Sequence, residues 1–210
     1  MRRYRKQLNI QFFLEIFIDI CNSMTRRITT SGILAFLFCT LLLCSCGKRQ
    51  ENRRIRETLR NFENSTIIFP EQMKEFQHGA ERMTTIPGGY RFVVYFAPGE
   101  CSSCALNHMD LSQVLALGEE LGFTSIAIIS PAPEDMDRVR ADLMFRLSAF
   151  SLYLDKDFSF RQKNTCIPED PRFHCFLVNP QGKPIYVGNP STPGRRALLK
   201  RVMSESKGQQ

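Results

Sequence analysis

Residues Tyr90 to Leu121 read YRFVVYFAPGECSSCALNHMDLSQVLALGEEL. Phe92 to Ala97 is a short run of aromatic and β-branched residues, the pattern of a buried strand. Pro98-Gly99 breaks it. Cys101 and Cys104 follow at C-x-x-C spacing, at the mouth of a segment patterned as a helix. Its apolar positions are Leu106, Met109, Val114, Leu117 and Leu121, and Gly122 is a stop signal. A strand that delivers a dithiol to a helix N-terminus is a chemical device. Unpaired N–H groups and the positive dipole end favour a thiolate, so the first cysteine is expected to ionise more readily than a free one.

Outward from this stretch the pattern continues. Phe123 to Ser130 reads as a second buried strand. Pro131 and Pro133 open a second helix, with Glu134, Asp135 and Asp137 in its first turn and Met136, Val139, Leu143 and Leu147 as its inward stripe. Ser151 to Asp155 predicts a third strand and Arg172 to Val178 a fourth. Asn179-Pro180-Gln181-Gly182 makes a tight turn, Pro184 to Gly188 returns as a hairpin strand, and Pro193 starts a last helix. The order β-α-β-α-β-β-β-α at this spacing argues for βαβ units in one sheet.

Strand, Ala97-Pro98-Gly99-Glu100, Cys101-Ser102-Ser103-Cys104 and long helix resemble the active-site corner of the thioredoxin-like superfamily. The likeness is nearest to its membrane-tethered, TlpA-like branch and spans roughly residues 67–203. It implies an α/β fold with a mixed central sheet of 4–5 strands flanked by helices. It also implies thiol–disulfide exchange without a dissociable cofactor, with Cys101 as nucleophile and Cys104 as resolving thiol. Ser102 and Ser103 occupy the dipeptide that tunes the potential. Three positions depart from the family pattern. Glu100 stands where an aromatic is usual, and its carboxylate opposes a thiolate. Tyr95 stands where many members carry a buried acid. Phe173 falls in the register of the family's cis-proline, with Pro171 and Pro168 nearby; either a gap aligns Pro171 with that site or the cis bond is absent.

Other residues have a plain reading beside the chemical one. His108 lies four positions after Cys104 on a helical pattern, where it could tune the dithiol or act as a surface residue. Cys175 fits a small apolar core position, and Cys166 is close enough in sequence for a second disulfide or a relay. A zinc set of Cys101, Cys104, His108 and His174 or Cys175 is conceivable, but the spacing matches no standard finger, so no metal is expected.

Charge and cysteine placement bound the rest. The 210 residues, 43% apolar, allow one full core with appendages. The net charge of +7 is concentrated at the front: residues 1–45 hold six Lys/Arg and two acids, leaving 22 basic against 19 acidic residues. No basic run in the domain interleaves with aromatics, which argues against nucleic acid. Four of the eight cysteines lie at or before Cys46. Arg26-Arg27, an apolar run from Ile33 to Leu43, and Leu43-Cys44-Ser45-Cys46 resemble a lipoprotein signal with Cys46 acylated. The apolar run is about 11 residues, short of the roughly 20 a spanning helix needs. Residues 1–23 fit poorly before such a signal; translation starting at Met24 and an amphipathic extension are both open. The division expected is therefore a leader over 1–45, a lipidated tether over 46–64, the domain over 65–205 and a disordered tail over 206–210. The expected setting is a bacterial envelope, with the domain facing the periplasm. Its partners would be cysteine-containing envelope proteins and a redox partner. A thioredoxin-fold binding module with a structural C-x-x-C disulfide is the alternative.

Overall fold

In a computed structural model, the structure describes residues 49–77, 80–100, 109–132 and 150–208. The chain divides into two units at Arg54/Ile55. Residues 49–54, in the first unit, are helical. The second unit opens with helix α1, residues 55–63.

One sheet organises the second unit. Its strands are β1 (Met73–Gln77), β2 (Ala80–Thr84), β3 (Arg91–Phe96), β4 (Thr124–Ile129), β5 (Ser151–Leu154), β6 (Cys175–Val178) and β7 (Pro184–Val187). They lie in the order β2-β1-β5-β4-β3-β6-β7. β3, β4 and β5 run parallel, β6 is antiparallel to β3, and two hairpins close the edges. Seven strands stand where the sequence reading expects four or five. The extra pair is the β1–β2 hairpin, added antiparallel to β5. Its alternation is hidden because a charged residue, Glu75, occupies a buried position and meets Arg82 across the hairpin at 3.4 Å.

Strand periodicity separates the core into two halves. Phe92, Val94 and Phe96 of β3 face one side with Ala127, Ile129, Leu152, Leu154 and Leu177. Helices α2 (Leu111–Leu121) and α4 (Pro193–Gly208) cover that side through Val114, Leu117, Leu199 and Met203. Val93 and Tyr95 face the other side with Ile126, Ile128, Tyr153 and Phe176. There Phe62 of α1 and Phe160 of the short helix α3 (Ser159–Lys163) close the layer. Burial on both faces explains why β3 reads as a continuous apolar run and not as an alternating one.

Several expected elements shift. The helix carrying Val114 and Leu117 begins at Leu111, not at the cysteines, because Asp110 caps it and accepts the Gln113 N–H at 3.1 Å. Its N-terminus is therefore directed at Asp110. Thr66–Pro70 joins no strand of the sheet. Its backbone bonds elsewhere: Ile67 N–H donates to Gly182 O at 2.8 Å, and the Asn164 amide clasps Ile68 on both sides at 2.7 and 2.8 Å. Residues 171–173 form a 3-10 turn capped by Asp170, so β6 starts only at Cys175. The tether assigned to 46–64 ends in the core, since Phe62 is buried and meets Phe176 edge-on at 5.2 Å. At the other end α4 extends through Gly208 in place of a disordered tail. Ser206 bonds Tyr90 Oη at 3.0 Å, and Lys207 Nζ donates to Leu121 O at 2.8 Å. The helix expected after Pro133, residues 133–149, lies outside the described residues.

Candidate active site

β3 ends in a turn whose geometry follows from its sequence. Pro98 suits the first corner of a type II turn and Gly99, at φ 78°, supplies the left-handed second corner. Glu100 N–H closes the turn onto Ala97 O at 3.1 Å. The Glu100 side chain then folds back, and its Oε2 accepts the Ala97 N–H at 3.0 Å. Its other oxygen, Oε1, lies 2.9 Å from Nδ1 of His174. Glu100 is thus tied to the sheet at two points, and does not stand free in solvent as its exposed-looking sequence context suggests. Cys101 is the next residue. Cys101, Ser102, Ser103, Cys104 and His108 lie outside the described residues, as does Cys46.

His174 is 4% exposed and sits between β6 and this turn. Its Nε2 is 2.8 Å from the Pro168 carbonyl. That oxygen can only accept, so Nε2 carries a proton. The Nδ1 contact to Glu100 is close but not aligned along an N–H direction, which makes it an electrostatic contact and not a directed hydrogen bond. Tyr95 N–H donates to His174 O at 2.8 Å, and the two rings meet edge-on at 5.2 Å. Sequence reading considers His174 only as a zinc ligand. Both of its nitrogens instead face protein oxygens.

Tyr95, in the place of the family's buried acid, begins a second polar chain. Ser130 Oγ is 2.9 Å from Asp155 Oδ2 and 3.4 Å from Tyr95 Oη. A carboxylate can only accept, so the single Ser130 proton goes to Asp155 and the tyrosine hydroxyl is left to donate to Ser130. All three residues are buried. Asp155 also accepts the N–H groups of Phe160 at 2.9 Å and Arg161 at 3.2 Å and the Ser159 hydroxyl at 3.3 Å. It supplies the cap that Phe158, in a left-handed conformation at φ 54°, does not give α3. Asp155 ends a run that reads as a strand, so nothing in its local pattern marks it as a buried acceptor.

Beside Tyr95 and His174 opens a cavity of about 220 Å³, walled also by Arg161, Ile167, Pro168 and Glu169. The loop around the expected cis-proline forms this wall. Pro168 contributes its carbonyl, Pro171 starts the 3-10 turn, and Phe173 is buried. Among the described residues no peptide bond is cis.

Among the described residues two thiols are free, Cys166 and Cys175, and they lie against opposite halves of the core, Cys175 with α2 and α4 and Cys166 with α1 and α3. The sheet separates them, so the second disulfide that their sequence separation permits does not form. Burial and, secondarily, the Glu100 carboxylate push the Cys175 thiol from 9.0 up to about 12. The folded protein therefore holds a proton there that the unfolded chain releases. Cys175 should favour the folded state below about pH 9, and that contribution should drain away as pH rises towards 12. Urea unfolding across this window, compared with Cys175→Ala, should show a shallower decline in the variant. Tyr186 drifts in the same direction, also to about 12, chiefly through burial, and sets the slope that remains.

No model of a known protein family matches the chain, and no curated protein matches it. Solved structures do. A thioredoxin-like protein from Porphyromonas gingivalis is 20% identical, with a TM-score of 0.45, over 67% of this chain and 93% of that one. A putative thiol:disulfide interchange protein DsbE from Chlorobium tepidum is 15% identical, with a TM-score of 0.42, over 65% and 98%. Peroxiredoxin Q from Xanthomonas campestris is 16% identical, with a TM-score of 0.42, over 63% and 89%. Among the described residues no helix is long and apolar enough to cross a membrane. With parallel β3, β4 and β5, an antiparallel β6–β7 hairpin beside β3, and a closing helix, the chain has a thioredoxin-like fold.

Proposed function

We propose that this chain is a thiol–disulfide oxidoreductase of the bacterial envelope, held at a membrane by a lipid on Cys46, with Cys101 as nucleophile and Cys104 as resolving thiol. The observation that carries this reading is the turn at residues 97–100. It locks the end of the central strand and the residue before Cys101 onto the sheet. A nucleophile fed from an anchored backbone keeps its approach direction to a partner disulfide. In the reducing direction, the Cys101 thiolate attacks one sulfur of the partner's disulfide. A mixed disulfide forms, the partner's S–S bond breaks, and the second partner sulfur leaves as thiolate. Cys104, deprotonated, then attacks the Cys101 sulfur, closing the internal disulfide and releasing the first partner sulfur. The dithiol loses two electrons and the partner disulfide gains them; the reverse sequence oxidises a partner dithiol. The cavity beside His174, with apolar, cationic and anionic walls, suits one side chain of a cysteine-containing envelope protein.

Cys104→Ser removes the resolving thiol, so mixed disulfides through Cys101 should accumulate. Non-reducing gels and mass spectrometry of membranes carrying the variant should show them, absent in Cys101→Ser/Cys104→Ser. A variant that traps nothing, with Cys101 alkylating no faster than a model thiol, leaves the binding-module reading standing. The same spectra report the anchor: a mature N-terminus other than lipidated Cys46 rules it out.

A further inference from the structure

The cavity beside Tyr95 is graded from inside to outside. Tyr95 and His174 are its buried walls, Ile167 and Pro168 are half-buried, and Arg161 and Glu169 are exposed. Bonds made elsewhere hold these walls in place. The Arg161 N–H donates to Asp155 Oδ2 at 3.2 Å, and the Asn164 amide is held on Ile68 from both sides at 2.7 and 2.8 Å. The Pro168 carbonyl is tied to the His174 ring at 2.8 Å. A site whose walls are fixed in advance loses little freedom when it fills.

The two charged walls are open. The Arg161 and Glu169 side chains do not pair with each other, and neither has a hydrogen-bond or ion-pair partner among the described residues. Asp170, the next residue in the same loop, is by contrast taken up by Arg172 at 2.9 and 3.0 Å. A cation and an anion left open on one cavity select by charge. An anion is drawn to Arg161 and opposed by Glu169, a cation meets the reverse, and a neutral molecule leaves both unpaired. A zwitterion satisfies both. The volume of about 220 Å³ is below the roughly 300–1,000 Å³ of sites for drug-sized ligands, so the ligand is small. We propose that this cavity binds a free α-amino acid with an apolar side chain. Its carboxylate would lie on Arg161, its ammonium on Glu169, and its side chain against Tyr95, Ile167 and Pro168. No cysteine takes part in this binding, so it stands apart from thiol exchange. A bound amino acid and a partner's side chain would fill the cavity in turn.

The test is ¹H–¹⁵N correlation spectroscopy of the full-length protein, titrated with L-leucine and L-methionine at millimolar concentration. Amide shifts should cluster at Tyr95, Arg161, Ile167 and Glu169. N-acetyl-L-leucine keeps only the carboxylate and L-leucinamide only the ammonium. Each should bind about tenfold more weakly than L-leucine, the size of one lost charge-assisted hydrogen bond. Arg161→Gln should weaken L-leucine by about tenfold and leave L-leucinamide no weaker, because that ligand never met the guanidinium. Glu169→Gln should act the same way on L-leucine and N-acetyl-L-leucine. Both side chains are exposed, so thermal unfolding of the two variants should match wild type and separate lost binding from lost fold. Absence of shifts at the cavity with both amino acids overturns the proposal. So does equal binding of L-leucine and its two blocked forms, which would leave an apolar hole without charge recognition. The readout involves no thiol, so its failure leaves the oxidoreductase reading intact, and failure of the trapping experiment leaves this binding intact.

Discussion

Replacing Phe62 by alanine should lower the unfolding free energy by about 3–5 kcal/mol, the range for truncating a buried aromatic. Phe62 is 1% exposed, and its ring stands edge-on to Phe176 of β6 at 5.2 Å, on the sheet's second face. Truncation removes apolar area and leaves a space that α1 cannot refill, because Ile67, four residues beyond the helix end at residue 63, is pinned to Gly182. Domains of this kind have total stabilities of about 5–15 kcal/mol, so the loss is a large fraction. Phe62→Leu keeps most of the volume and should cost much less. Urea unfolding of both variants is the measurement. If Phe62→Ala changes stability by less than about 1 kcal/mol, α1 is not part of the core and the reading of 46–64 as a tether regains its place.

Asp155→Ala should cost about 3 kcal/mol, by a different mechanism. The carboxylate accepts from Ser130, Ser159 and two backbone N–H groups at the start of α3. Its loss leaves the buried Phe160 N–H and Ser130 hydroxyl without their acceptor, and a buried donor left unmade costs about 1–3 kcal/mol. Loss of a helix cap contributes in the same direction, by about 0.5–2 kcal/mol. For a domain of this size the total corresponds to a fall of about 6–12 °C in Tm. Asp155→Asn retains an acceptor but turns an NH₂ towards one of the donors, so it should fall between wild type and alanine. Calorimetry or thermal circular dichroism distinguishes the three. A Tm for Asp155→Ala within about 2 °C of wild type would mean that water takes over the acceptor role, and the cap account would be wrong.

Both positions show how the two sources of information divide. The sequence by itself determined the parts whose cause is local. β3 (Arg91–Phe96) and β4 (Thr124–Ile129) are strands because dense β-branched and aromatic residues suit a pleated layer buried on both faces. Pro98-Gly99 is a turn because proline presets one corner and glycine alone enters the other without strain. Asn179 to Gly182 turns for related reasons, and Gly122 stops α2 in a left-handed conformation. Cys101 and Cys104 are proposed as a redox pair on the sequence motif alone, and they lie outside the described residues.

Only the tertiary structure decided the matters that depend on partners distant in the chain. Glu100 reads as an exposed acid beside a cysteine, yet His174, 74 residues later, and the turn's own N–H bind it to the sheet. The β1–β2 hairpin carries polar residues on an edge, and its strand character comes from the free edge of β5, which no local pattern encodes. Asp155 became a buried acceptor because parallel β4 and β5 bring Ser130 to its side. Phe62 joined the core because the second face of the sheet needed cover, and periodicity cannot say which helix supplies it.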